Sequence, residues 1–211
     1  SNRPSVRSCC SGAVKDSLII VRQLELLAPA RDIQIGIAAI DCGADAVYIA
    51  GPRFGARQAA GNGIEDLKSL CDYAHKFGAR IFVTLNTILY DDELEDAWEQ
   101  MEAVRKAGAD ALIVQDMAIA AMAQERGYSI PLHASTQCAI RTPEQAAFLE
   151  KVGFTRLVLE RELSLEQIKA IRAAVNCELE FFVHGALCVC YSGQCYLSEH
   201  IAGRSANRGA C

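Results

Sequence analysis

The chain has 211 residues, 51% of them apolar and 22% charged, enough for one domain with a substantial core and ordinary for a globular protein. Its net charge of −5 speaks against a dedicated duplex-nucleic-acid binder, which is usually basic, but leaves room for a local arginine patch. No apolar run approaches the roughly 18 residues of a membrane span, and the polar N-terminus has no signal-peptide core, so a cytoplasmic location is expected.

Residues 1–22 read as an extension outside the fold, with the leading Ser1-Asn2 a cloning remnant and Cys9 and Cys10 incidental. From there strand and helix patterns alternate. The order is strand 24–28, helix 33–42, strand 46–49, helix 64–77, strand 80–85, helix 92–107 and strand 111–114. It continues with helix 118–126, strand 132–134, helix 143–152, strand 156–159, helix 164–175 and strand 178–183. Asp91, Thr142-Pro143 and the Ser164-Leu-Glu-Gln box supply N-terminal caps. Gly43, Gly78, Gly108 and Gly153 close helices.

A strand followed by a helix, again and again, implies an all-parallel sheet with helical crossovers. No Gly-x-Gly-x-x-Gly loop follows the first strand, which favours a TIM-barrel-like (β/α) closure over an open doubly wound sheet. Seven units are visible over 23–183 where a full barrel has eight. An open edge of that kind admits a homo-oligomer. Residues 184–211, richer in Gly, Ser and Cys, read as an irregular cap.

In a parallel barrel the chemistry gathers at the C-terminal ends of the strands. Residues 28–30 end the first strand, and Arg53 and Arg57 follow the second. Asn86 follows the third, Asp116 the fourth, His133 to Gln137 the fifth, Glu160 to Glu162 the sixth, and His184 the seventh. His133 and His184 suit either a hydrogen-bonded structural role or a proton donor, with Asp116 and Glu160 as further catalytic candidates. Arg53, Arg57 and Arg161 suit either an anionic substrate, with Asn86 and Gln137 beside it, or ion pairs with Asp116, Glu160 or Glu162. No Gly-x-Ser-x-Gly elbow or His-Glu-x-x-His helix is present, so neither hydrolytic mechanism has a motif.

Ten cysteines are many for such a chain. Cys42, Cys71, Cys138 and Cys177 lie among apolar or helical neighbours and read as small buried hydrophobes. Cys188, Cys195 and Cys211 are different, because they are spaced along a glycine-rich segment beyond the last strand. Thiolates so placed suit an iron–sulfur cluster or another soft metal. A zinc on these three and Cys190 is the alternative.

The run Glu180-x-Phe182-x-x-Gly185-Ala186-Leu187-Cys188, followed by Gly193-x-Cys195-x-Leu197-Ser198, resembles the signature of the U-thirty-two peptidase family, the collagenase-like proteases of unassigned catalytic type. Residues 25–30 and 43–49, Asn86 in VTLNT, Asp116 in VQDM, HASTQ at 133–137 and RELS at 161–164 are similar to the same family. The segments 81–95, 111–117, 132–138 and 203–211 are most similar to its branch that makes 5-hydroxycytidine in large-subunit ribosomal RNA.

That resemblance implies a barrel carrying a 4Fe–4S cluster on four cysteines, used for oxygen-independent RNA hydroxylation with a small anionic oxygen donor. Cys188, Cys195 and Cys211 match three of the ligands. The fourth is expected downstream of Cys211, so a chain of this extent is expected to hold no cluster when purified in air. Arg204 and Arg208 would then contact phosphate or the anionic donor, or else stabilise the cap through ion pairs. Tyr48, Tyr191 and Tyr196 could stack on a base. The other readings are a peptidase, as the family label says, and a non-catalytic cluster-bearing subunit.

Overall fold

Seven strands form one all-parallel sheet whose order follows the chain, β1-β2-β3-β4-β5-β6-β7. They are β1 (Leu27–Ala30), β2 (Ala46–Ala50), β3 (Arg80–Leu85), β4 (Ala111–Val114), β5 (Leu132–Ala134), β6 (Arg156–Val158) and β7 (Glu178–Glu180). The structure, a computed structural model, describes residues 24–56, 62–185, 188, 190–203 and 208. Helices α1 (Ile33–Asp41), α2 (Ile64–Lys76), α3 (Leu94–Ala107), α4 (Met117–Glu125), α5 (Pro143–Val152) and α6 (Leu165–Ala174) each follow a strand. A sheet that never reverses its order has no switch point and curls toward a barrel. Among the described residues no ladder joins β7 to β1, so the curl is open on that side.

Local chemistry explains the boundaries. Asp32 caps α1 by accepting from the Ile35 amide at 3.0 Å. Capping boxes open α5 (Thr142 with Gln145) and α6 (Ser164 with Gln167), each satisfying amides that a helix start leaves bare. Gly108 and Gly153 stop α3 and α5 at φ of 95° and 113°, where a side chain would strain.

Four expectations need correction. The first strand begins three residues later than its pattern suggests, so Ala28 to Ala30 are paired strand rather than rim. Asp91 does not cap α3; it begins a 3-10 turn, Asp91–Glu93, in which the Glu93 carboxylate accepts from the Tyr90 amide at 2.8 Å. Cys42 is exposed at the end of α1, whereas Cys71 is buried and Cys138 and Cys177 partly so. The segment after β7 is not wholly irregular, since it contains α7 (Leu197–Ala202).

Strand residues alternate between two faces. Val47, Ile49, Ile81, Val83, Leu112, Val114, Ala134 and Leu157 pack outward against the helices in the main core. Ala46, Phe82, Ala111 and Ile113 face inward with Leu27 and Tyr48 in a smaller cluster. The inner face then turns polar toward β6 and β7. Arg156, 6% exposed in its side chain, meets Glu25 at 2.6 Å, Glu180 at 3.2 Å and Glu178. Glu25 also pairs with Arg80. Arg80, Arg156 and Glu178 open their strands and Glu25 precedes β1, so this network closes the N-terminal mouth. It also ties the first strand to the last two, supplying the closure that the missing ladder does not.

Candidate functional site

The other mouth, at the C-terminal strand ends, is covered by the cysteine segment. Ser192, only 3% exposed, donates from its amide (3.1 Å) and its hydroxyl (3.2 Å) to the Glu162 carboxylate past β6. Tyr191 lies under the Arg141 guanidinium, 5.1 Å from its ring centre. Arg141 is held in turn by Glu160 at 2.6 Å. At Gly193, with φ of 71°, an added Cβ would collide with the Gln137 carbonyl past β5, so glycine alone permits this approach. Further along, Arg208 reaches the β3–α3 loop, where it pairs with Glu93 at 2.7 Å and stacks on Tyr90 at 4.2 Å. The segment thus spans the mouth from β5 and β6 to the loop after β3.

Cys188, Cys190 and Cys195 are free thiols in this segment. Desolvation first, then a hydrogen bond with Cys195 and the nearby charges of Cys195 and Cys188, hold the Cys190 thiol above its ordinary range. A metal entering here must displace those protons, so its affinity rises with pH. Soft sulfur donors with no carboxylate between them suit iron–sulfur or zinc chemistry. Among the described residues no three ligands already stand as a metal-holding group. Cys211 lies outside the described residues, as do Arg57 and Arg204.

Several rim candidates turn out to hold the rim together. Asn86 accepts from the Ala56 amide at 2.9 Å and donates to Ser135 at 3.1 Å, joining the loops after β2, β3 and β5. Asp116 caps α4 through Ala118 (2.9 Å) and accepts from the Leu89 amide (2.9 Å) with its other oxygen. Arg53 pairs with Asp96 at 2.8 Å, not with Asp116, Glu160 or Glu162. Arg161 approaches Ser192 at 3.5 Å and lies over Phe182. Gln137 receives the Gln115 amide on its carbonyl at 3.4 Å. His184 is exposed at the end of the described run.

His133 stands apart from the rim. Its ring is buried inside the barrel, edge-on to Phe82 at 4.8 Å, with Nδ1 unpartnered. Burial, then Arg156 and Arg80, push its pKa down to about 3. Such an imidazole is neutral near pH 7 and does not serve as a cationic acid. It borders a cavity of about 280 Å³ lined also by Arg80, Phe82 and Glu178, at the mouth opposite the cysteines.

Two signs of a working site cluster at the cysteine end. The non-glycine residues with positive φ are Phe54 (61°) and Ala139 (52°), among the described residues, and they follow β2 and β5. Such conformations concentrate at functional loops. Among the described residues, the buried polar atoms without partners are Gln115 Oε1, Thr136 Oγ1 and an Arg141 Nη, besides His133 Nδ1, and the first three belong to the loops after β4 and β5. Unsatisfied buried groups of this kind suit a bound ligand or ordered water. Sequence patterning passed over Arg141 and Ser192, and it took Tyr191 as a base-stacking candidate, whereas the ring lies under the Arg141 guanidinium. Only the proximity of the cysteines in the chain hinted at Ser192.

The model of Peptidase family U32 matches residues 31–211. The 23S rRNA 5-hydroxycytidine C2501 synthase of Escherichia coli (strain K12) is 59% identical over 189 residues, covering 90% of this chain and 28% of that protein. The tRNA hydroxylation protein P1 of Bacillus subtilis (strain 168) is 34% identical over 208 residues, covering 98% of this chain and 49% of that protein. The chain therefore spans half or less of the length of these relatives. The solved structure of the U32 peptidase Mk0906 matches with a TM-score of 0.62 at 16% identity, over 85% of this chain and 72% of that one, a likeness of fold. On the family match and the identities to these relatives, the chain belongs to Peptidase family U32.

Proposed function

We propose that this chain is the cluster-bearing barrel of a cytoplasmic RNA-modifying hydroxylase whose target is a cytidine of large-subunit ribosomal RNA. One observation carries the reading: 59% identity over 90% of the chain to a 23S rRNA 5-hydroxycytidine synthase. The 4Fe–4S cluster expected on Cys188, Cys195, Cys211 and a fourth thiolate suits the soft donor set of the segment over the mouth. When bound, such a cluster supplies one-electron redox chemistry. The chain's own residues do the rest. Glu162, Arg141 and Arg208 hold the cysteine segment over the mouth, and Asn86 and Asp116 fix the loops around it. Arg53 and Arg161 offer guanidinium groups at the rim to a small anionic oxygen donor or to RNA phosphate. A cationic acid does not come from His133, which leaves Glu160 and His184 as the acid–base candidates.

A peptidase reading finds less support. Among the described residues neither His184 nor Cys188 has a hydrogen-bonded partner that would make a thiol–imidazole pair. Nucleoside mass spectrometry of ribosomal RNA from a strain lacking the gene tests the proposal. The expected result is loss of 5-hydroxycytidine, restored by the full-length gene and not by its Cys195→Ser variant. Unchanged 5-hydroxycytidine in the deletion strain overturns it.

A further inference from the structure

We infer that Glu162 is a positioning residue for the cysteine loop: it anchors Ser192 so that Cys190 and Cys195 are held, before any metal arrives, at the strand ends. The inference rests on the reading that Cys195, with the other ligand thiols of this segment, serves a cluster; Cys190 reports the position of the loop. Ser192 sits midway between the two cysteines in the chain. It is nearly buried, and both its amide and its hydroxyl donate to this one carboxylate. Hydrogen bonds to a charged acceptor are the stronger kind.

Glu162 itself is solvent-exposed. Removing it leaves no buried charge unpaired, so its loss should act on the loop and not on the barrel. The neighbouring restraints work in the same sense. Tyr191 lies under Arg141, which Glu160 holds in place, and Gly193 rests on the Gln137 carbonyl. Three consecutive residues between two thiols are thus each fixed to a different part of the rim. A loop held only for packing would not need its single buried hydroxyl and amide on one acid. A loop that must present thiols in a fixed array does, because a preorganised first shell depends on a rigid support.

The test uses full-length protein prepared without oxygen, as wild type, Glu162→Ala, Glu162→Gln, Ser192→Ala and Cys195→Ser. In the cluster-free form, iodoacetamide labelling of Cys190 and Cys195 and hydrogen exchange of the 190–195 peptide are followed by mass spectrometry. After reconstitution, iron and sulfide retention against a chelator is followed. Glu162→Ala should raise loop labelling and exchange roughly tenfold and speed iron loss, with exchange in the barrel strands unchanged. Glu162→Gln, which keeps an acceptor oxygen, should recover most of the protection. Ser192→Ala should show a smaller effect, because the amide still donates. Wild-type labelling and exchange in Glu162→Ala overturns the inference, as does loss of protection throughout the barrel. If wild type takes up no iron although Glu162→Ala still unprotects the loop, the positioning role stands and the hydroxylase reading falls.

Discussion

The two mouths of this barrel are built from the same materials to different ends. At the N-terminal mouth, Arg156 is surrounded by Glu25, Glu178 and Glu180, with Arg80 also on Glu25. At the C-terminal mouth the arginines are spread out, each pinning a different loop, and polar atoms are left over. Burial pushes the Glu180 carboxyl above its ordinary range while Arg156 opposes it, so the floor holds together only as a set. The contrast teaches that charge density alone does not locate a site. The floor's charges pair with one another around a cavity that His133 borders with its unpartnered Nδ1, whereas the cysteine end combines three orphaned polar atoms, left-handed non-glycine residues and free thiols.

Breaking the floor should have the largest effect. Arg156→Met removes a buried guanidinium and leaves the part-buried Glu25 and Glu180 without it, which should cost about 3 kcal/mol, read as a lower urea midpoint. Loop thiol labelling under native conditions should change little.

His133 ranks next and gives the floor a pH dependence. The folded imidazole stays neutral down to about 3, whereas its ordinary pKa is 6.5. Between those values the unfolded chain binds the extra proton. The stability tied to neutral His133 is therefore complete above about 6.5 and falls as pH drops toward 3, by on the order of 3 kcal/mol. His133→Gln should flatten that part of the stability–pH curve, and identical curves for the two proteins would refute the assignment.

At the cysteine end, Gly193→Ala should cost about 1–2 kcal/mol, since it combines a positive φ with a collision. Its signature should be faster labelling of Cys190 and Cys195. A further step down is the Arg208 anchor. The hydrogen bond from Arg208 holds the Glu93 carboxyl below its ordinary value of 4.5. Its contribution is present above that value and is lost as pH falls through the lowered one. Arg208→Ala should cost about 1 kcal/mol and should make the cap more accessible to protease without changing the floor. The smallest effect is expected for Arg53→Ala, whose partner Asp96 is half exposed. Stability should move by less than about 0.5 kcal/mol, so a drop in RNA or donor affinity in that variant would report direct binding.

The fold was largely legible from the chain. The strands at 80–85, 111–114 and 132–134 and the helix at 143–152 fall where their patterns put them, because apolar period and capping are local properties. The first strand was misplaced, because Leu24 and Leu26 look like strand residues yet precede the ladder as exposed chain. Site residues were less legible. Asn86, Asp116 and Arg53 stand near the rim as expected, but their side chains bond to loop backbone, Ser135 or Asp96. Apart from Ala118, which Asp116 caps two positions on, those partners lie 27 to 49 positions away, and no local pattern encodes such a pairing.

The amino-acid order by itself determined the alternation of strand and helix, the parallel sheet and the thiol-bearing segment beyond β7, since each depends on near neighbours along the chain. Only the tertiary structure decided that Arg156 closes one mouth with Glu25 and that Glu162, Arg141 and Glu93 carry the cysteine segment across the other. Those contacts join parts of the sequence up to 131 residues apart, and only the curl of the sheet brings them within reach.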